Sequence, residues 1–562
     1  MAEMIIPGTY IEVRDEGLIS AGRIAAGIVG IVGTAESGPV DEPVTLSSMA
    51  NAREAFGSPD DYNQPLDNAN PLTLVRALDY LYGNGASTVL AVRVAGASKK
   101  QATFAVPDAS GNTVTILKAR TPGTWGNNIR FKTETAKTNA FIERELHENS
   151  FTQLDYGGIA ERPRNQIRVY RGATKEWKTL NIAYQSGANA VAAKPGEAVI
   201  IVSTGALGFA QGEEPQKNQG DKLEASYEVD QSKCVQVSLT YGATGESYTV
   251  PDGRWLTKQI NRSKQGSKLV EATVNATHGN KLPKSEMEAY CGTGANDSGN
   301  NGAEAAQEEY TGGLRVLEDQ LVHIVVLAGQ DVERRGADLL KHLKATEQTD
   351  HERIAVIGAN GNQFNDFLKL SQSDGRLIVV APGLVEKNGT ITELPPAYAA
   401  AAVAGLISSV PVQTSLTNKP LILPGLQDEF NRGEQEQLIK SNILAIVKKE
   451  NGRRILKGIT TAGEGTPYSS IPTRRIVDKA KYGVRSAANP YLGRLNNSRV
   501  RAALKATLDG LLTRMVDQEE LTKYELEVSA TRPQEIAGEV SVVMTLQPTF
   551  SIDFIRVVMN LK

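Results

Sequence analysis

Five histidines are the side chains best able to move protons or hold a metal in this chain: His147, His278, His323, His342 and His351. None falls in an HExxH pattern, and none has a cysteine or carboxylate at the spacing that sets ligands side by side on one element. They read as structural histidines. Cys234 and Cys291 are the two cysteines, far apart in sequence. A disulfide framework and a zinc site are therefore not expected, and a reducing compartment fits. No GxxxxGK[ST] loop is present. The glycine-rich stretches GIVGIVG (27–33), GNGAS (83–87) and GANGNQ (358–363) lie near strand ends without the full GxGxxG pattern. Each could cradle a phosphate, but a tight turn is the simpler reading. No cofactor and no metal are expected.

Two further patterns are suggestive and incomplete. SSMA (47–50) echoes the serine loop of subtilisin-like proteases, whose triad runs Asp, His, Ser along the chain. Every histidine here follows Ser48, so that order fails. Asp297, Asn301, Gly302 and Glu308 stand at positions 1, 5, 6 and 12 of a calcium loop. Position 3 is Gly299, which offers no side-chain ligand, so the stretch reads as a surface loop. A hydrolase needs a nucleophile, a base and an oxyanion site together. The chain supplies no such set, and no enzymatic activity is expected.

What stands out instead are the ends. MIIPGTYIEVRD (4–15) and EVSVVMTLQPTFSIDFIRVVMNLK (539–562) are rich in apolar and β-branched residues, where chain ends are usually polar and frayed. Tyr10 alternates with Ile11 and Val13 at the period of a strand. Val540, Val542, Met544 and Leu546 share one face of a second. The run from Phe550 through Ile552 and Phe554 is apolar on both faces in places, which predicts an inner strand. Two strands alone are marginal, and an open sheet edge recruits a strand from another chain. Strand exchange between copies is the expectation. Two linkers flank these arms: EGLISAGR (16–23) with Gly17 and Gly22, and TRPQEIAGE (531–539) with Pro533 and Gly538. Both are expected to act as pivots.

The elements between the ends set the fold class. The chain has 562 residues, 40% hydrophobic and 22% charged, with a formal net charge of -3. That is an ordinary globular balance for several domains, with no basic footprint for nucleic acid. No signal peptide is expected, nor an apolar run of the ~20 residues a membrane span needs. Short apolar runs at 28–33, 88–94, 321–327, 352–358 and 376–383 alternate with helical patterns at 47–57, 70–85, 331–346, 362–371 and 396–409. Such alternation predicts a mostly parallel sheet covered on both faces. Residues 101–202 switch to short strands at 113–120, 127–134, 165–172 and 197–202, divided by turns, as in a β-sandwich or barrel. The more polar stretch 203–312 reads as a further insertion. Near the end, 496–521 carries the strongest helix signal, with Asn497 as cap and a stripe of Val500, Leu504, Leu508, Leu511 and Met515.

Several segments, taken in order, resemble a known family. PGTYIEV (7–13), GIVGIVGTAESGPVDEP (27–43) with AFG (55–57), YLYGNGASTVLAVRV (80–94), ARTPGTWGNNIRF (119–131), PAYAAAAVAGLISS (396–409), NGRRILKGITT (451–461) and the terminal VVMTLQPTFSIDFIRVVMNL are similar to blocks of contractile-tail sheath proteins of myophages and related injection machines. One departure is Leu456, near which many members carry an aromatic. The resemblance implies a subtilisin-like α/β core that is not a protease, with an inserted β-sandwich and a small α+β C-terminal domain with extended arms. The divisions it suggests are an N-terminal arm and linker (1–23), a core (24–100 with 313–450), the sandwich (101–202), a tube-facing domain (451–538) and C-terminal arm strands (539–562); the polar stretch 203–312 matches no block of the family and is left open as an additional insertion, which an outward-facing decoration would fit. It implies a helical homo-oligomer of stacked rings around an inner tail tube protein, capped by baseplate and terminator proteins, in a virion tail assembled in the host bacterial cytoplasm. Neither nucleic acid nor a membrane is an implied partner. Arg499, Lys505 and Arg514 on the 496–521 helix are the candidates to touch the tube. A bacteriocin or extracellular injection system would use the same sheath. Outside the family, an inactive α/β hydrolase or a monomeric carbohydrate-binding protein would fit parts of the pattern, and sedimentation separates either from a polymer.

Overall fold

The computed structural model describes residues 27–60, 62, 71–187, 193–294, 296–370, 372–388 and 390–560. Residues up to Ala97 together with those from Ala303 onward form one compact unit, and Ser98–Gly302 form another.

The first unit is built on a sheet of nine strands in the order Pro43–Leu46, Val89–Val94, Val29–Thr34, Ile324–Asp331, Ile354–Gly358, Leu377–Ala381, Leu444–Lys449, Gly452–Ile455, Pro420–Leu421. The pairings from Val89–Val94 through to Leu444–Lys449 are parallel. Alternate residues face opposite sides, and both sides are buried: Ile324 and Val326 join one core, Val325 and Leu327 the other. This is why the strands read as continuous apolar runs.

One face is covered by the helices Met49–Phe56, Leu74–Gly83 and Pro396–Ser409. The last is buried almost all round, and its small residues let it lie close to its neighbour. A Cβ at Gly405 would sit 2.2 Å from the carbonyl oxygen of Leu81. The other face is covered by Gln307–Val316, Val332–Gln348, Phe364–Phe367 and Arg432–Lys440. The first of these corrects the sequence reading, because residues 303–312 belong to this unit and not to the insertion. The helix expected over 362–371 is a single turn.

The second unit holds three antiparallel-rich sheets around one core. Its strands cross the boundary expected at residue 202. Lys222–Val229 pairs with Gln166–Arg171 and with Ala140–His147, and Val235–Tyr241 pairs with Arg130–Thr135. A separate insertion from 203 is therefore not what this chain builds. Two buried carboxylates disguise the strand Lys222–Val229: Glu224 is held by Arg144 and Arg168, and Glu228 by Arg162 and Arg164. Among the described residues, no helix is long and apolar enough to cross a membrane.

Candidate functional site: the C-terminal hairpin and tail

Helix Ser498–Asp517 begins where expected. Asn497 Oδ1 accepts the N–H of Val500 at 2.9 Å, filling one of the open donors of the first turn. Leu504, Leu508, Leu511, Leu512 and Met515 are buried. Against that stripe lie helix Ile471–Ala488 and a hairpin of strands Leu521–Ser529 and Ser541–Pro548. The cross-strand pairs Val528 with Val542, Leu526 with Met544 and Tyr524 with Leu546 supply the inward side chains. Val543 faces outward and exposed, and Val540 lies just before the strand. Among the described residues these two strands form a sheet of their own, so neither outer edge is paired.

Thr549 donates its N–H to Glu520 O at 3.1 Å, and there the ladder stops. Beyond it Phe550, Ile552 and Phe554 are 71%, 81% and 84% exposed, and Ile555, Val557, Val558 and Met559 are equally open. Among the described residues the expected inner strand is thus not formed, and none of them supplies a strand for it to lie between. The Lys457 ammonium stands 5.7 Å from the Phe554 ring centroid. Phe550, Ser551 and Asp553 wall a recess of about 230 Å³ together with Lys457, Thr460 and Glu464.

Pro533 and Gly538 need a correction as pivots. They lie in a one-turn helix, Arg532–Ala537, which connects the two strands of the hairpin, with Gly538 left-handed at φ 76°. Movement there would have to break the ladder on either side, so the free chain begins at Thr549 instead. Arg499, Lys505 and Arg514 all lie on the exposed side of their helix. Tyr10, Ile11, Val13, Gly17 and Gly22 lie outside the described residues.

An ion network fixes helix Ile471–Ala488 to the rest of the unit. Arg376, 3% exposed, donates to Glu347 at 2.6 Å and to Asp478 at 2.7 Å. Lys481 reaches Glu347 at 3.0 Å, Arg474 reaches Asp478 at 2.9 Å, and Arg485 donates to Glu352 at 2.7 Å. The hydrogen bond from Arg376, helped by Lys481, holds the Glu347 carboxyl down at about 2. The pairs Arg376–Asp478, Lys481–Glu347 and Arg485–Glu352, which tie this helix to the rest of the unit, join residues more than 100 positions apart, and no local spacing reveals them.

Other candidates for chemistry are spent on structure. Ser48 caps helix Met49–Phe56, accepting the N–H of Asn51 and donating to its Oδ1 at 3.1 Å. His323 accepts the N–H of Ile28, and burial lowers it to about 4. His342 lies beside Arg353, and burial with that charge lowers it to about 3. Asp297 accepts the hydroxyl of Thr103 at 2.6 Å, and Glu308 lies in the helix Gln307–Val316 of the other unit. The Cys234 and Cys291 thiols are buried and unpaired.

Comparison with known proteins places these features. Residues 26–94 match the N-terminal region of domain III of the tail sheath protein Gp18, residues 303–461 the phage tail sheath protein central domain, and residues 464–562 the phage tail sheath C-terminal domain. The tail sheath protein of Bacillus phage SP01 is 21% identical over 551 residues, covering 93% of this chain and 90% of that relative. The fold is shared with the sheath tail protein of Desulfitobacterium hafniense, with a TM-score of 0.56 at 14% identity over 96% of this chain and 100% of the other. It is also shared with that of Listeria innocua, with a TM-score of 0.55 at 11% identity over 94% and 96% of the two chains.

Proposed function

The chain belongs to the phage tail sheath family and is a structural sheath subunit, and on that premise we propose how its copies are joined: they exchange terminal strands to build a helical sheath around an inner tube. The observation that carries this is the hairpin with two unpaired edges, continued by an exposed apolar tail. A donated N-terminal arm, through Tyr10, Ile11 and Val13, lies on one edge, and the tail of another copy, through Phe550, Ile552 and Phe554, lies alongside. Main-chain hydrogen bonds supply affinity and alternate side chains supply register. Head-to-tail contacts that do not close on themselves generate a helix of subunits.

Contraction then switches the subunits between two packings and drives the tube through a bacterial envelope, with Gly17 and Gly22 as the pivots that remain. Arg499, Lys505 and Arg514 meet the tube. The partners are further copies, the tube protein, and baseplate and terminator proteins, in a particle tail assembled in the bacterial cytoplasm. The parallel sheet with helices on both faces supports reading the core as subtilisin-like, and the packed sheets of Ser98–Gly302 support an inserted sandwich. The use of Ser48 as a helix cap supports a core without catalysis. A sheath of a bacteriocin or extracellular injection system would use the same contacts.

Deleting residues 1–15 tests the exchange. The truncated chain should remain a folded monomer by circular dichroism and fail to polymerise by sedimentation and electron microscopy. Sheaths of normal length from that truncation would refute it.

A further inference from the structure

The strand Ala140–His147 carries an irregularity that re-aims one carboxylate. Ile142 points into the core, so strict alternation would turn Arg144 inward and Glu145 outward. A bulge opposite Ala225 and Tyr227 shifts the register, and Arg144 takes a left-handed φ of 53°. Glu143 and Arg144 both face solvent, and Glu145 is buried at 5% exposure. Bulges commonly redirect a side chain in this way.

The redirected carboxylate meets two other ligand-type side chains. Glu145 Oε1 lies 2.5 Å from His147 Nε2 and accepts the Asp155 N–H at 2.8 Å. Glu145 Oε2 accepts the hydroxyl of the buried Tyr227. One donor atom each from Glu145, His147 and Asp155 lies within 4.8 Å of the other two. The charges around them are unbalanced toward the negative. Asp252, almost fully buried, stands nearby and is engaged by Arg254 and by the Tyr156 hydroxyl. Burial and the Glu145 charge raise the Asp155 carboxyl above its ordinary range.

We propose that Glu145, His147 and Asp155 form a binding site for a divalent first-row transition metal ion of the zinc class. An imidazole with two carboxylates is the mixed nitrogen and oxygen donor set that zinc accepts, and three protein ligands leave one position for water. Metal–donor distances of about 2.0 to 2.2 Å in a tetrahedral site set the donors about 3.4 Å apart, so Glu145 and His147, hydrogen-bonded at 2.5 Å, part slightly around the ion while the third donor draws in. Asp155, the exposed member on the loop after the strand, closes that gap by side-chain rotation. The ion replaces the proton between Glu145 and His147, so binding releases it. Tyr227 orients Glu145 from behind and is a positioning residue. This site lies in Ser98–Gly302 and does not depend on the sheath assignment.

Zinc chloride titrated calorimetrically into the full-length protein tests the site, with cobalt(II) absorption as a reporter of coordination. The expected result is one saturable site per chain, with an enthalpy that changes with the ionisation heat of the buffer. Asp155→Asn and His147→Gln should abolish it, and Tyr227→Phe should weaken it about 10- to 100-fold. Because Asp155 is exposed, Asp155→Asn should keep the wild-type circular dichroism spectrum, so its result stands even where His147→Gln fails to fold. Absence of saturable binding up to millimolar zinc, or unchanged affinity in Asp155→Asn, would overturn the proposal.

Discussion

Replacing Phe554 by serine separates folding from assembly more cleanly than any other single change. In the protomer the ring is 84% exposed and its one aromatic contact is the Lys457 ammonium at 5.7 Å. An exposed cation–π contact is worth about 0.5–1 kcal/mol, so the isolated chain should lose no more than that. In the proposed strand-exchanged state the same ring would be buried against another copy. Burying a phenylalanine contributes about 1.5–3 kcal/mol, and each 1.4 kcal/mol is tenfold in an equilibrium constant. Phe554→Ser should therefore weaken each intersubunit contact about 10- to 150-fold. Sedimentation velocity across a concentration series reads the shift as a higher threshold for polymer. Scanning calorimetry on the monomer should show an almost unchanged melting temperature. If the variant polymerises at the wild-type threshold, the tail is not buried between copies. If its monomer melts well below wild type, the tail belongs to the protomer's own core, and the strand-exchange argument fails.

Leu508→Ala should do the reverse: the side chain is fully buried beneath the hairpin, and its loss should cost about 2–5 kcal/mol of unfolding free energy in urea titration. The depressed Glu347 carboxyl stabilises the fold above its ordinary pKa, and that contribution is lost as pH falls toward about 2. Wild type should therefore lose more stability than Glu347→Gln between pH 5 and pH 2 or so, and parallel urea midpoints for the two would refute the role. Reversing Arg499, Lys505 and Arg514 together should change monomer stability by no more than about 1.5 kcal/mol, about 0.5 for each surface position, and reduce co-assembly on tubes in a pelleting assay. Unchanged pelleting would remove these residues from the tube interface.

The parallel core was legible because its strands are buried on both faces, so runs such as Ile28–Gly33 show no polar residue to confuse the pattern. Helix Ser498–Asp517 was legible for the opposite reason, since its stripe contrasts with an exposed charged face. Helix Ile471–Ala488 was missed. Its buried face is made of Arg474, Arg475, Ala480, Gly483 and Ala487 as much as of isoleucines; Arg474, paired with Asp478 one turn on, and Arg475, donating to the carbonyls of Val410 and Pro411, look like a solvent face in sequence. Residues 203–302 were unreadable for a related reason: their buried glutamates are paired across strands.

For the candidate site, the apolar alternation of 540–546 indicated the correct inward face, with Val542, Met544 and Leu546 turned toward the helices. The both-faced run after Phe550 indicated burial and could not say by whom, because periodicity is a property of one chain. Glu145 was invisible as a ligand because a bulge, which sequence does not announce, decides which way it points.

The register of the hairpin has a mechanical consequence. Leu521 and Pro548 are cross-strand partners. The point where the hairpin joins its anchoring helix and the point where the tail departs therefore lie side by side. A pull between these two points loads the ladder one rung at a time, like a zip opened from its slider, and this is the weakest way to stress paired strands. The Lys479–Glu520 ion pair and the Thr549–Glu520 hydrogen bond sit at that end, where the first rung would fail. A strand from another copy, laid along the outer edge and pulled along its own length, loads all its rungs together. Tension within a sheath would then be borne in shear by the exchanged strands before it could unzip any one subunit.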